Sequence, residues 1–139
     1  MATIIVTDQA PAAKPVSESM EVRDFWQTLL ETPQYNVPVV GFGTTRRLAP
    51  GLTEIASPLI VTCVSDEPAV LDVRILRGDF SEAWLVRQLD ILPYDMTLVP
   101  LNGTMLLTGD RLQVKANGNN LIDVTISATV GQAEEDDIQ

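Results

Sequence analysis

The most constraining stretch is residues 112–128. Leu112, Val114 and Ala116 alternate with Arg111, Gln113 and Lys115. After Asn117-Gly118-Asn119-Asn120, the residues Ile122, Val124, Ile126 and Ala128 alternate with Asp123, Thr125, Ser127 and Thr129. A strict period of two puts one face on a core and the other in water, which defines half-buried β-strands. Two such runs around a polar, glycine-containing turn predict a terminal β-hairpin.

The same patterning extends upstream. Thr53 to Val64 predicts a strand broken at Ser57-Pro58. Ala69, Leu71, Val73 and Ile75 share one face, with Asp72, Arg74 and Arg77 on or near the other. Trp84 to Leu92, Met96 to Leu101 and Thr104 to Leu107 predict three more strands. Asn102-Gly103 is a hairpin signal, because both residues tolerate positive φ. About seven short strands with turns every 8–12 residues predict a mainly β fold, an antiparallel β-sandwich or jelly-roll-like domain.

The first fifty residues read differently. Thr3-Ile4-Ile5-Val6-Thr7 is a short strand-like run. Asp8 to Pro15 has no period, so Ala2 to Ser19 reads as an N-terminal arm without a core of its own. Over Ser19 to Leu30, Val22, Phe25, Trp26, Leu29 and Leu30 recur at spacings of three and four, which predicts one short helix. Ser17 or Ser19 caps it and Thr32-Pro33 ends it. Its apolar face packs on its own domain or docks on another subunit. Pro33 to Pro50 is a connection carrying Gly41, Gly43 and the basic pair Arg46-Arg47. The expected division is therefore 1–50 arm, helix and loop; 51–130 β-sandwich; 131–139 acidic tail. Val22, Phe25, Trp26, Leu29, Arg46 and Arg47 are the candidate partner-binding residues.

Composition limits the chemistry. The 139 residues contain no histidine and one cysteine, Cys63. Zinc sites built on His and Cys, Ser-His-Asp and Cys-His catalysis, and an intrachain disulfide are thereby excluded. Cys63 lies in an apolar strand pattern and reads as a small buried hydrophobe. A formal charge of −10 opposes binding to duplex DNA or an anionic membrane. No signal peptide or membrane-length apolar run is evident, which fits synthesis in a reducing cytoplasm.

Carboxylates remain. Asp90, Asp95 and Asp110 sit in turn-like contexts, where aspartate usually closes an Asx-turn. Asp66-Glu67 and the Glu134–Asp137 run lack the alternating ligand spacing of a Ca²⁺ loop and read as solvated charge. Gly41-Phe42-Gly43-Thr44-Thr45 lacks the Gly-Lys-Ser/Thr ending of a phosphate loop. No cofactor or metal is expected, and the chain reads as a non-enzyme. Trp84, Tyr94 and Tyr35 are the residues that could form a small carbohydrate-binding groove, and Asp95 and Asp110 those of a carboxylate enzyme.

Several phrases in order carry a family resemblance. They are Ala49-Pro50-Gly51 leading into Ser57-Pro58-Leu59-Ile60-Val61, Val70-Leu71-Asp72-Val73-Arg74-Ile75, and Pro93-Tyr94-Asp95-Met96-Thr97-Leu98-Val99-Pro100-Leu101-Asn102-Gly103. Leu107-Thr108-Gly109-Asp110-Arg111-Leu112 and Val124-Thr125-Ile126-Ser127 follow, with Gly131 to Asp137 at the end. Residues 49–139 thus resemble small β-sandwich virion structural proteins of large tailed bacteriophages, known chiefly from phages of marine bacteria. The resemblance implies a homo-oligomer, with a trimer favoured by analogy, made in the host cytoplasm. Its implied place is the outer virion surface, as a capsid decoration or cement protein bound to the major capsid protein. A neck, tail or baseplate component bound to other virion subunits is the alternative, and a carbohydrate-binding module a further one.

Overall fold

The computed structural model describes residues 14–32 and 51–131, all strand, turn and connection. Ten strands run in the order β1 (Lys14–Val22), β2 (Gln27–Glu31), β3 (Thr53–Ile55), β4 (Leu59–Cys63), β5 (Ala69–Leu76), β6 (Glu82–Ile91), β7 (Met96–Val99), β8 (Met105–Leu106), β9 (Arg111–Ala116) and β10 (Ile122–Val130).

They form two antiparallel sheets. In sheet A, β10 is paired along both sides. β1 takes one side over nine residues, from Lys14 opposite Val130 to Val22 opposite Ile122. The other side is shared by β3 and β4, which are flanked in turn by β8 and β7. Sheet B has the order β2-β9-β5-β6. The inward side chains of both sheets make one hydrophobic cluster that includes Ile55, Val61, Leu71, Ile75, Leu112 and Ile126. Alternation is clean in β5, whose residues are buried and half-buried in turn. Cys63 is buried, its Sγ donating towards the Glu67 carbonyl at 3.3 Å.

Three sequence expectations change. The first is the helix over Ser19 to Leu30, which is replaced by β1, a crossover at 23–26, and β2. The helical spacing has a local cause. The register between β2 and β9 shifts between Thr28 and Leu30, so Leu29 is an extra residue in its strand. Two consecutive leucines are therefore both buried, which imitates an i, i+3, i+4 stripe. A competing alternation, Val16-x-x-x-Met20-x-Val22, wins because its residues meet Ala128, Val124 and Ile122 across the ladder. A helix here would leave one edge of β10 and one of β9 unpaired, and those backbone groups need partners. Residues 14–32, expected in the arm and helix, thus lie inside the two sheets.

The second change is the terminal hairpin. β10 has the predicted alternation and β9 has it except at Gln113, which is buried on the outer side, but the two sit in opposite sheets and residues 117–121 cross between them. The third is Asn102-Gly103. β7 and β8 do not pair with each other; each pairs antiparallel with a piece of the β3–β4 strand. The turn is a step between two collinear pieces, tied by Thr104 N–H to Leu101 O at 3.0 Å and Gly103 N–H to Ile55 O at 2.8 Å. The break at Ser57-Pro58 is as expected, and Ser57 Oγ accepts the Ser127 N–H of β10 at 2.9 Å.

Gly103 has φ +93°, and a Cβ there would meet nothing within 4 Å. Its replacement should therefore carry a purely backbone cost. Gly103→Ala should lower unfolding free energy by about 1–2 kcal/mol, measured by urea titration, whereas an unchanged midpoint would show that the turn tolerates a side chain.

Candidate functional site

Two polar constellations stand out, one at an end of the fold and one on the outer side of sheet B. The end constellation is centred on Asp110, whose side chain is only 3% exposed. Asp110 Oδ2 accepts Arg77 Nη1 at 2.7 Å and the Leu107 N–H at 2.8 Å, while Oδ1 accepts the Gly78 N–H at 3.2 Å. One carboxylate thus fastens the β5–β6 turn to the β8–β9 turn. Its backbone adds a third tie, because the Thr32 N–H donates to Asp110 O at 3.0 Å. Thr32 Oγ1 then donates to Thr53 Oγ1 at 2.8 Å, joining the end of β2 in sheet B to β3 in sheet A. Both threonines are buried. The expected role of Asp110 is an Asx-turn; instead its carboxylate accepts the preceding Leu107 N–H and reaches across to Arg77 and Gly78 of the other turn.

The neighbouring turn is closed by Asp79. Ser81 Oγ donates to Asp79 Oδ1 at 2.6 Å and the Ser81 N–H donates at 3.0 Å. The hydroxyl first, then the amide, hold this carboxyl below its ordinary value of 3.8. A depressed folded-state value stabilises the turn above the ordinary one, and that support is lost as pH falls through the folded-state value.

The second constellation pairs tryptophans with cations. Trp26, from the crossover, meets Trp84 of β6 edge-on, with ring centroids 5.4 Å apart at 69°. The Arg74 guanidinium lies 4.0 Å from the Trp26 ring, and that of Arg87 lies 4.2 Å from Trp84. Lys115 Nζ is 5.7 Å from Trp26. Arg74 is also held by Gln113 Oε1 at 2.9 Å and Glu82 Oε2 at 2.8 Å, and Gln113 Nε2 donates to Thr28 Oγ1. The ladder therefore crosses all four strands of sheet B. Guanidinium–indole stacking contributes about 0.5–1 kcal/mol per pair at exposed sites.

The edge strand β6 is irregular beside this ladder. Asp72 Oδ1 accepts the N–H of Gln88, a residue with φ +52°, at 2.6 Å where the β5–β6 register shifts. Below it lies an open recess of about 450 Å³ lined by Val70, Asp72, Gln88, Asp90, Lys115 and Asn117. Among the described residues no three His, Cys, Asp or Glu side chains gather as metal ligands.

The candidate partner-binding residues are separated by the fold. Val22 and Leu29 are buried in the core. Trp26 is in the ladder, and Phe25 stands 55% exposed in the crossover. Arg46 and Arg47, like Tyr35, lie outside the described residues. Tyr94 stands in the β6–β7 turn, ten residues beyond Trp84, and Asp95 there accepts the Met96 N–H. The roles of Arg74, Arg87 and Gln113 had one signal in the sequence, namely cations on the polar face of strands near tryptophans. Comparison with protein-family models, curated proteins and solved structures finds no match to this chain.

Asp110→Asn replaces one accepting oxygen by an amide that faces donors and removes the charge opposite Arg77. A loss of about 2–3 kcal/mol in unfolding free energy is expected. Denaturant titration checks it, and a change below a few tenths would mean that the carboxylate does not fasten the two turns.

Proposed function

We propose that this chain is a structural subunit of a tailed-bacteriophage virion, whose two sheets form a jelly-roll-like β-sandwich. One observation carries the proposal: every boundary of the described chain lies at the same end of the fold. Lys14, at the start of β1, pairs with Val130 at the end of β10. The Gly131 N–H donates to Leu52 O at 2.9 Å, next to Gly51. Thr32 is bonded to Thr53. Residues 1–13, 33–50 and 132–139 therefore all attach at one pole, the pole that Asp110 fastens.

An assembly subunit benefits from that polarity. A specific interface buries on the order of 1,200–2,000 Å² in total. Segments anchored at one pole can supply area on neighbours that the sheets cannot reach. The opposite pole stays free to face solvent. The resemblance of residues 49–139 to phage virion proteins supports the same reading. The chain is then non-enzymatic, and its charge of −10 sets it apart from packaged DNA.

Within the virion we place it on the outer head, bound to the major capsid protein as a decoration or cement subunit, with a trimer at a local threefold. A neck, tail or baseplate ring is the alternative, and copy number separates the two. Mass spectrometry of separated heads and tails, normalised to the major capsid protein, should find hundreds of copies on heads. A few to tens of copies with tails would move it to a connector, and absence from both would overturn the virion reading.

Truncation provides a second test. Removing 1–13 leaves β1 and β2 in place, so the protein should keep its fold and lose incorporation into particles. Circular dichroism checks the first outcome and particle composition the second. Incorporation at normal copy number would show that these thirteen residues do not dock.

A further inference from the structure

The chain contains two Asn-Gly pairs, Asn102-Gly103 and Asn117-Gly118. Asparagine before glycine is prone to lose its side-chain amide, because glycine has no Cβ to hold its backbone nitrogen away from the asparagine Cγ. The reaction needs a backbone N–H free to give up its proton, a Cγ carbonyl polarised for attack, and access for water. Both asparagines are exposed, so water reaches each. The fold treats the other two requirements oppositely at the two pairs.

At Asn102 the nucleophile is engaged. The Gly103 N–H donates to Ile55 O at 2.8 Å, and Asn102 Oδ1 accepts no N–H among the described residues. At Asn117 the arrangement is reversed. The Gly118 N–H donates to no described residue. Asn117 Oδ1 instead accepts the Val70 N–H at 3.0 Å. That oxygen gathers negative charge as Cγ becomes tetrahedral, and an N–H already placed on it stabilises the charge. The Asn117 N–H returns a bond to Val70 O at 3.1 Å, so the residue is held against β5 from both its backbone and its side chain.

We propose that Asn117 is a deamidation site of the folded protein, selected over Asn102 by these contacts. The Gly118 N–H gives its proton to hydroxide or a buffer base, and its nitrogen attacks Asn117 Cγ. An N–Cγ bond forms, the Cγ–Nδ2 bond breaks, and the amide takes up a proton and leaves as ammonia. Water then opens the succinimide at either carbonyl, giving aspartate or isoaspartate, and nothing is oxidised or reduced. Asn117 begins the crossover from β9 to β10. Isoaspartate lengthens the main chain at that point and misplaces both groups that hold Val70. Either product also adds a carboxylate to the recess already lined by Asp72 and Asp90.

The test is peptide mapping by mass spectrometry after the full chain is incubated in mildly alkaline buffer. Cleavage after Arg111 and Lys115 puts the two asparagines in separate peptides. Conversion at Asn117 should be about tenfold faster than at Asn102, since Gly103 must first give up its hydrogen bond. Both should quicken as pH rises, because the attacking nitrogen must lose a proton. In denaturant the two rates should become comparable. Gly118→Ala should suppress conversion at Asn117 and keep the fold, because the added Cβ meets the end of the Leu121 side chain and the φ at Gly118 is not positive. Asn102 converting as fast as Asn117 in the folded protein, a preference that persists unchanged in denaturant, or an Asn117 that stays intact while the unfolded chain converts would each overturn the proposal.

Discussion

Strand β10 is the constraint on which the rest of the molecule depends. It is paired along its full length by β1 and on its other side by β3 and β4, so sheet A is built outward from it. Its inward residues, Ile122, Val124, Ile126 and Ala128, are all buried. A one-residue slip would turn those four outward and bury Asp123 and Thr125 in their place. Register in β10 therefore fixes the register of β1, β3 and β4, and through them β7 and β8.

Sheet B is fixed to this frame at one pole. Asp110 gathers Arg77, Gly78 and Leu107, and the Thr32–Thr53 hydrogen bond joins the two sheets beside it. A buried carboxylate needs several donors to offset the loss of water, and here two turns and a guanidinium provide them. The same pole receives all the chain boundaries of the described fold. These hydrogen bonds therefore lie beside the chain boundaries and tie both sheets together there.

The two outer faces are built for different ends. On sheet B each tryptophan stacks with an arginine of the same chain, and the hydrogen bonds of Arg74 and Gln113 link the four strands there. On sheet A, Met96, Leu98 and Met105 of β7 and β8 face outward and stay partly exposed.

The sequence by itself determined which residues face the core. The alternations in β4, β5, β9 and β10, the break at Ser57-Pro58 and the buried Cys63 were all legible, because side-chain burial follows a local period of two. It also limited the chemistry, since an absent histidine cannot be restored by folding. Only the tertiary structure decided partners. β9 and β10 look like a hairpin because each has one apolar face, yet two strands can share a core from opposite sheets as readily as from adjacent positions. Val22 to Leu30 looked helical because a bulge at Leu29 buries consecutive leucines, and a bulge is set by the neighbouring strand. The Trp26–Arg74–Trp84–Arg87 ladder draws on the crossover and two strands, and the fastening of Asp110 on turns more than thirty residues apart. Such contacts are long-range, and local periodicity carries no information about which distant strand supplies the other half.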